Sequence, residues 1–128
     1  MRAILDTQAF LWWVFSDARL SKKARRVIEN AANECLLSLA SVWEMAIKAG
    51  AGKLKLTQPL AEFIPYELRA NGFALLEIRF SHVALLENMA PVHRDPFDRL
   101  IAAQALTEQL PVISVDRAFE GYGVERVW

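Results

Sequence analysis

His93-Arg94-Asp95-Pro96-Phe97-Asp98-Arg99-Leu100-Ile101-Ala102-Ala103-Gln104-Ala105 is the stretch on which the reading of this chain turns. Asp-Pro marks a helix start, with Asp95 as N-cap and Pro96 at the first helical position, where its missing N–H is not needed. Behind it, Leu100 to Ala103 and then Ala105-Leu106 are apolar almost all round, so the helix is expected to be buried on most sides. Asp98 nevertheless falls in the first turn, on the face of Ile101, Ala102 and Ala105. The helix dipole gives a first-turn acid a structural use of about 0.3–1 kcal/mol. That use suffices for this helix taken alone. Three further acids in comparable positions point beyond it.

The bulk numbers bound the answer. With 128 residues and 54% hydrophobic content, the chain reads as one domain spanning 1–128, with enough core to fold alone. Fifteen basic and fifteen acidic residues balance to zero, so nucleic-acid binding driven by global charge is not expected, only local patches. The single Cys35 lies in the apolar run Cys35-Leu36-Leu37 and reads as a packed strand residue in a reducing compartment. There is no apolar run of membrane-spanning length, and Met1-Arg2-Ala3 leads straight into a strand. A soluble cytoplasmic protein with no membrane partner is the expectation.

In chain order, Arg2 to Leu5 reads as a strand ended by Asp6-Thr7, and Gln8 to Phe15 as a helix. That helix carries Trp12, Trp13 and Phe15, more aromatic surface than one short helix face buries, so these three are candidates for a partner contact. Ser21 caps a basic helix over Lys22 to Ala32. Glu34 to Ser38 is a second strand. Ser41-Val42-Trp43-Glu44 has the Ser-x-x-Glu form of a capping box and predicts a helix opening at Ser41 and closing at Gly50 to Gly52. Lys53 to Leu56 alternates as a short extended arm would. Pro59 to Ala70 reads as a helix irregular at Pro65 and closed by Asn71-Gly72. Phe73 to Ile78 is a third strand, and Ser81 is expected to cap a short helix with His82 on its exposed first turn. Val112 to Val115 and Val124 to Trp128 complete five strands. Helices alternating with short apolar strands place the chain in the α/β class.

Asp6 and Asp116 each stand where a strand ends. In a parallel sheet all carboxyl ends line one edge, where ligands bind. The helices carrying Glu44 and Asp98 open near that edge, so Asp6, Glu44, Asp98 and Asp116 are expected to converge. Each acid alone has a cap or turn explanation of about 1 kcal/mol. Two carboxylates roughly 4 Å apart repel by about 4 kcal/mol at an effective dielectric near 20. A converged quartet therefore needs protons or a divalent cation, and all-oxygen ligation, with no Cys or His expected beside it, suits Mg²⁺ or Mn²⁺ rather than zinc. Such a site can activate a water and neutralise a phosphodiester. The motif stretches carry no Ser-His-Asp order, glycine-rich phosphate loop or Cys pair, which counts against triad, nucleotide-binding and zinc sites.

Asp6-Thr7 after the first strand, Ser-Val-Trp-Glu-Met-Ala-Ile-Lys around Glu44, His-Arg-Asp-Pro-Phe-Asp-Arg-Leu-Ile-Ala-Ala-Gln-Ala, and Ser114-Val115-Asp116 with Phe119 closely resemble the PIN-domain family. Within it the chain resembles the VapC group, toxin ribonucleases of type II toxin–antitoxin modules, over its whole length. The resemblance implies a three-layer α/β/α sandwich with a five-stranded parallel sheet. It implies Mg²⁺- or Mn²⁺-dependent endoribonuclease activity, a cognate antitoxin that blocks the site, operator DNA bound only through that antitoxin, and a homodimer. Carried over by motif, Asp6, Glu44, Asp98 and Asp116 match the acidic metal-binding quartet, with Asp95 the rival of Asp98. Thr7 and Ser114 match small hydroxyl positions that orient a carboxylate or a water.

Lys48, Arg94, Arg99 and Arg117 are the candidates for holding the RNA backbone. Two other readings remain open at this level. One is a binding module for antitoxin and operator, in which Trp12, Trp13 and Phe15 matter more than the acids. The other keeps the site and changes the substrate to DNA, since no residue identifiable in the sequence reads a 2′-OH.

Overall fold

The computed structural model describes all residues from Met1 to Trp128. Five parallel strands, β1 (Arg2–Leu5), β2 (Glu34–Ser38), β3 (Ala74–Leu76), β4 (Val112–Ile113) and β5 (Arg126–Val127), form one sheet in the order β3-β2-β1-β4-β5. The chain runs outward from β1 through β2 to β3, then returns to lay β4 on the other side of β1. The strand order therefore reverses between β1 and β4, the place where open α/β sheets form their binding crevice. Leu5 pairs with Leu37 on one side and Ile113 on the other, so Asp6, Ser38 and Ser114 follow at one level along the carboxyl edge.

The alternation of strand side chains splits the core in two. Ala3, Leu5, Cys35, Leu37, Ile113 and Val127 face α1 (Thr7–Val14), α2 (Lys22–Glu29) and α4 (Leu60–Asn71), whose Phe10, Ile28 and Phe63 fill that side. Ile4 and Val112 face the opposite way, onto α6 (Pro96–Glu108) and Phe119 of the short α7 (Ala118–Gly121). The result is the expected three-layer α/β/α arrangement. Between the layers, α3 (Leu39–Gly50) contributes Ala40 to one cluster and Met45 to the other. Cys35 is buried, and desolvation pushes its thiol up to about 11.

The central helix starts as its Asp-Pro signal predicts: Asp95 is the N-cap, accepting from the N–H groups of Phe97 and Asp98, and Pro96 is the first helical residue. Its end is set by Gln109 in the left-handed region, φ 56°, before Pro111. Gly72, φ 67°, closes α4 in the same way.

Several expectations are corrected. The helix α3 does not open at Ser41. Ser38 is its N-cap and accepts from the Ala40 N–H, so Ser41 and Glu44 lie inside the helix and make no capping box. The third, fourth and fifth strands are shorter than their apolar runs. After Ile113, the Ser114 hydroxyl accepts from the Asp116 N–H and Asp116 from the Ala118 N–H, and these side-chain bonds turn the backbone out of the ladder. The short α5 (Phe80–Leu85) begins before Ser81, and His82 is fully buried rather than exposed. Its Nδ1 accepts from the Arg79 N–H, and its Nε2 lies 3.1 Å from Glu108 Oε2 at the end of α6. No helix is long and apolar enough to cross a membrane.

Candidate active site

Asp6 stands one residue beyond β1 and caps α1, its Oδ1 accepting from the Ala9 N–H at 2.7 Å. Its Oδ2 accepts from the Ser114 hydroxyl. Ser114 in turn accepts from the Asp116 N–H at 2.9 Å, so one buried hydroxyl fixes two acids at adjacent strand ends. Burial is the largest influence on Asp6. It outweighs the Ser114 and Ala9 bonds and, with Asp116 and Glu44 nearby, pushes the carboxyl up to about 6.

Glu44 projects from the second turn of α3. The Thr7 hydroxyl lies 2.7 Å from Glu44 Oε1 and 2.9 Å from Ser41 Oγ. Having one proton, it donates to the carboxylate and takes its second bond from Ser41. Glu44 Oε2 is held by Lys48 Nζ at 2.6 Å, one turn along the helix. This bond is the main reason the Lys48 amine is raised above its ordinary value.

From α6, Asp98 faces the same space. Burial first, then Asp95, push its carboxyl up to about 7, against the opposing pull of His93, with Asp6 and Glu44 adding to the rise. Asp6, Glu44, Asp98 and Asp116, with Asp95, Thr7, Gln8, Lys48 and Val115, line a single cleft of about 350 Å³. The four acids singled out in the sequence thus meet in one place. Asp95 also lines the cleft but uses Oδ1 to cap α6, so Asp98 is the carboxylate free of that work.

One participant was missed. His93 Nε2 lies 2.8 Å from Asp116 Oδ2 and 3.2 Å from Asp98 Oδ2, so the acids do have a histidine beside them, contrary to expectation. The imidazole nitrogen and the two carboxylate oxygens lie within 4.8 Å of one another. His93 stands two residues before an N-cap, a spacing that carries no signal. Only the folded-back loop brings its ring to Asp116.

The donor set fits a hard divalent cation. Several carboxylates share one small cleft, two of them pushed well above the usual carboxylate range by burial and by neighbouring carboxylates. Within the cleft lining, Lys48 is the single cationic side chain, and it is committed to Glu44. A cation there would relieve the repulsion and keep the acids ionised.

Residues 3–125 match the PIN domain family. The chain belongs to the PIN-domain family. Over 62 residues it is 36% identical to ribonuclease VapC16 of Mycobacterium tuberculosis (strain ATCC 25618 / H37Rv), a match spanning 48% of this chain and 44% of that protein. Its fold is similar to a chain of the VapBC2 complex of Rickettsia felis bound to a DNA fragment from the promoter, with a TM-score of 0.69, 13% identity and both chains covered fully. It is likewise similar to a chain of VapBC-5 of Mycobacterium tuberculosis, a toxin–antitoxin family member, with a TM-score of 0.60, 17% identity and 98% and 97% of the two chains covered.

Within this PIN domain the weaker candidates separate. Lys48 lines the cleft, whereas Arg94, Arg99 and Arg117 do not. The Arg99 guanidinium is taken up by the Ala90 and Leu86 carbonyls and the Tyr122 hydroxyl, where it fastens the loop before α6. The aromatic group is partly consumed by the fold: Trp12 packs on Trp128 beneath Arg19, and Trp13 donates to Asn71 Oδ1. Phe15 stacks on Phe63 and keeps 43% of its surface exposed, the largest free share of the three.

Proposed function

We propose that this PIN domain is a metal-dependent endoribonuclease and the toxin of a type II toxin–antitoxin pair. The observation that carries the reading is the convergence of Asp6, Glu44, Asp98 and Asp116 on one cleft at the point where the strand order reverses. Asp6, Asp98 and Asp116, with Glu44 across the cleft, would hold Mg²⁺ or Mn²⁺. When bound, the cation supplies positive charge to the phosphodiester and lowers the pKa of a water.

The protein's own groups do the rest. Ser114 and Thr7 fix the rotamers of Asp6 and Glu44, so the carboxylates meet the substrate without reorganising. Lys48, which is 44% exposed along its side chain, is placed to turn from Glu44 to an RNA phosphate. Because the chain carries no net charge, its grip on RNA comes from such local groups. The kinship with a VapC ribonuclease supports RNA as the substrate. The likeness to chains from VapBC complexes supports an antitoxin as partner and operator DNA reached through it. A homodimer acting in the cytoplasm completes the proposed reading.

The test is cleavage of a mixed RNA pool by purified, antitoxin-free protein, with Mn²⁺ or Mg²⁺ against EDTA, beside a folded Asp98→Asn variant. Cleavage that needs the metal and disappears in the variant is expected. Activity that survives both EDTA and the substitution would come from a contaminating nuclease. Silence of well-folded wild type on several RNA pools, with cleavage of single-stranded or flap DNA, would move the substrate to DNA. Silence on both, with tight antitoxin binding, would leave a binding module.

A further inference from the structure

The loop that carries His93 is pinned from several sides. The His93 N–H donates to the Tyr122 hydroxyl at 2.7 Å, and Arg99 reaches both that hydroxyl and the Ala90 carbonyl. The ring is fixed as well. The backbone N–H of Asp95 donates to His93 Nδ1 at 3.0 Å. An amide N–H cannot accept, so Nδ1 presents a lone pair and the ring proton of the neutral imidazole sits on Nε2. Asp95 cannot easily withdraw its N–H, because it is the N-cap residue that starts α6. The Nε2–H therefore points to Asp116 Oδ2 at 2.8 Å, and Asp98 Oδ2 lies beside it, 3.2 Å from the same nitrogen, so the ring stands against two carboxylate oxygens from different elements that would otherwise repel.

Two roles are chemically open to such a ring: cation ligand, or donor to the ligands. Histidines that ligate a metal donate their other ring N–H to an acceptor. Here the other nitrogen faces a donor, and ligation through Nε2 would set an Nδ1–H against the Asp95 N–H. The cleft is moreover lined by Asp98 and Asp116 but not by His93. We propose that His93 is a positioning residue whose Nε2–H, bonded to Asp116 and set beside Asp98, holds the two carboxylates together on the cleft wall from outside the cation's ligand set. The role rests on the metal-dependent reading above, and it makes the site oxygen-only despite the nearby imidazole.

The test is Mn²⁺ binding to the metal-free protein, followed by EPR, in wild type, His93→Gln and His93→Leu. Glutamine keeps an N–H donor at a similar reach, and leucine keeps bulk without a donor. Removing an outer-shell partner of a metal ligand weakens metal affinity by roughly 10- to 100-fold. We expect such a loss in His93→Leu, a Kd within about threefold of wild type in His93→Gln, and no directly coordinated ¹⁴N coupling in the pulsed EPR spectrum of the wild type. A strong imidazole ¹⁴N coupling in the wild type makes His93 a ligand and overturns the proposal while leaving the metal site standing. Unchanged affinity in His93→Leu also overturns it. A wild type that takes up no Mn²⁺ removes both this role and the metal-dependent reading beneath it. The wild-type spectrum needs no substitution, so the proposal stays exposed to refutation if His93→Leu fails to fold.

Discussion

Asp98 sits where ionisation is disfavoured, with burial and then Asp95 raising its carboxyl from 3.8 to about 7. In that window the native state holds a proton that the unfolded chain has lost. The stabilising contribution is fully present below about 3.8 and is lost as pH rises towards 7. Asp98→Asn is neutral throughout and lacks this term. Urea unfolding in EDTA should find the variant gaining on wild type by about 1–3 kcal/mol between pH 5 and pH 8. An offset that stays constant with pH would contradict the cause assigned here. Thr7 makes the complementary case, because its one proton serves Glu44 and its lone pair serves Ser41. Thr7→Val leaves both partners short and should cost about 1–3 kcal/mol, whereas Thr7→Ser should cost less than about 1. Equal losses in the two variants would mean that packing, not the hydroxyl, matters at this position. The acids could be read from the sequence because each lies in a motif or at an element boundary that residue chemistry marks. His93 could not, since its work depends on a ring folded back by a loop that Tyr122 and Arg99 hold.

Helix starts were legible where one residue alone carries the signal and less so where two compete. Asp95-Pro96 has no rival, and α6 begins there. For α3, Ser38 and Ser41 both offer a cap. The Ser-x-x-Glu pattern favours Ser41, yet the chain must turn as soon as β2 leaves the sheet, and Ser38 stands at that point. Ser38 is also tied to α6, donating to Gln104 Oε1, while Gln104 Nε2 donates to the Glu77 carbonyl. Removing the Ser38 hydroxyl therefore uncaps one helix and strands a buried amide oxygen on another. Ser38→Ala should lower stability by about 2–4 kcal/mol, and Ser41→Ala by about 1 or less, measured as shifts in the urea midpoint at unchanged slope. The reverse order would restore the capping box. The misreading of His82 has a similar origin. Its helix looks amphipathic and solvent-facing in isolation, and only the arrival of Glu108 from α6 gives its ring a buried partner.

For the whole molecule, the sheet order accounts for both the site and its electrostatic tension. Adjacency of β1 and β4 places Asp6 beside Ser114 and Asp116, α3 and α6 close over them, and the acids end in one cleft. That convergence was legible, because alternating helices and apolar strands imply a parallel sheet whose carboxyl ends share an edge. The degree of burial was not, and burial is what raises Asp6 to about 6 and Asp98 to about 7. Protons and a divalent cation must then compete for the same oxygens. At pH 8 both acids are ionised before the cation arrives. At pH 5.5 Asp98 alone weakens apparent binding by roughly 30-fold, since 1.5 pH units below its pKa about one molecule in thirty is ionised. A metal at about 100 times its Kd stabilises the native state by about 2.7 kcal/mol. Thirtyfold weaker binding reduces that to about 0.8 kcal/mol. Thermal unfolding with Mg²⁺ or Mn²⁺ at such a concentration should therefore raise Tm on the order of 10 °C at pH 8 and by only about a third as much at pH 5.5. The increment should shrink at both pH values in Asp98→Asn. An increment independent of pH would place the cation on groups other than Asp6 and Asp98.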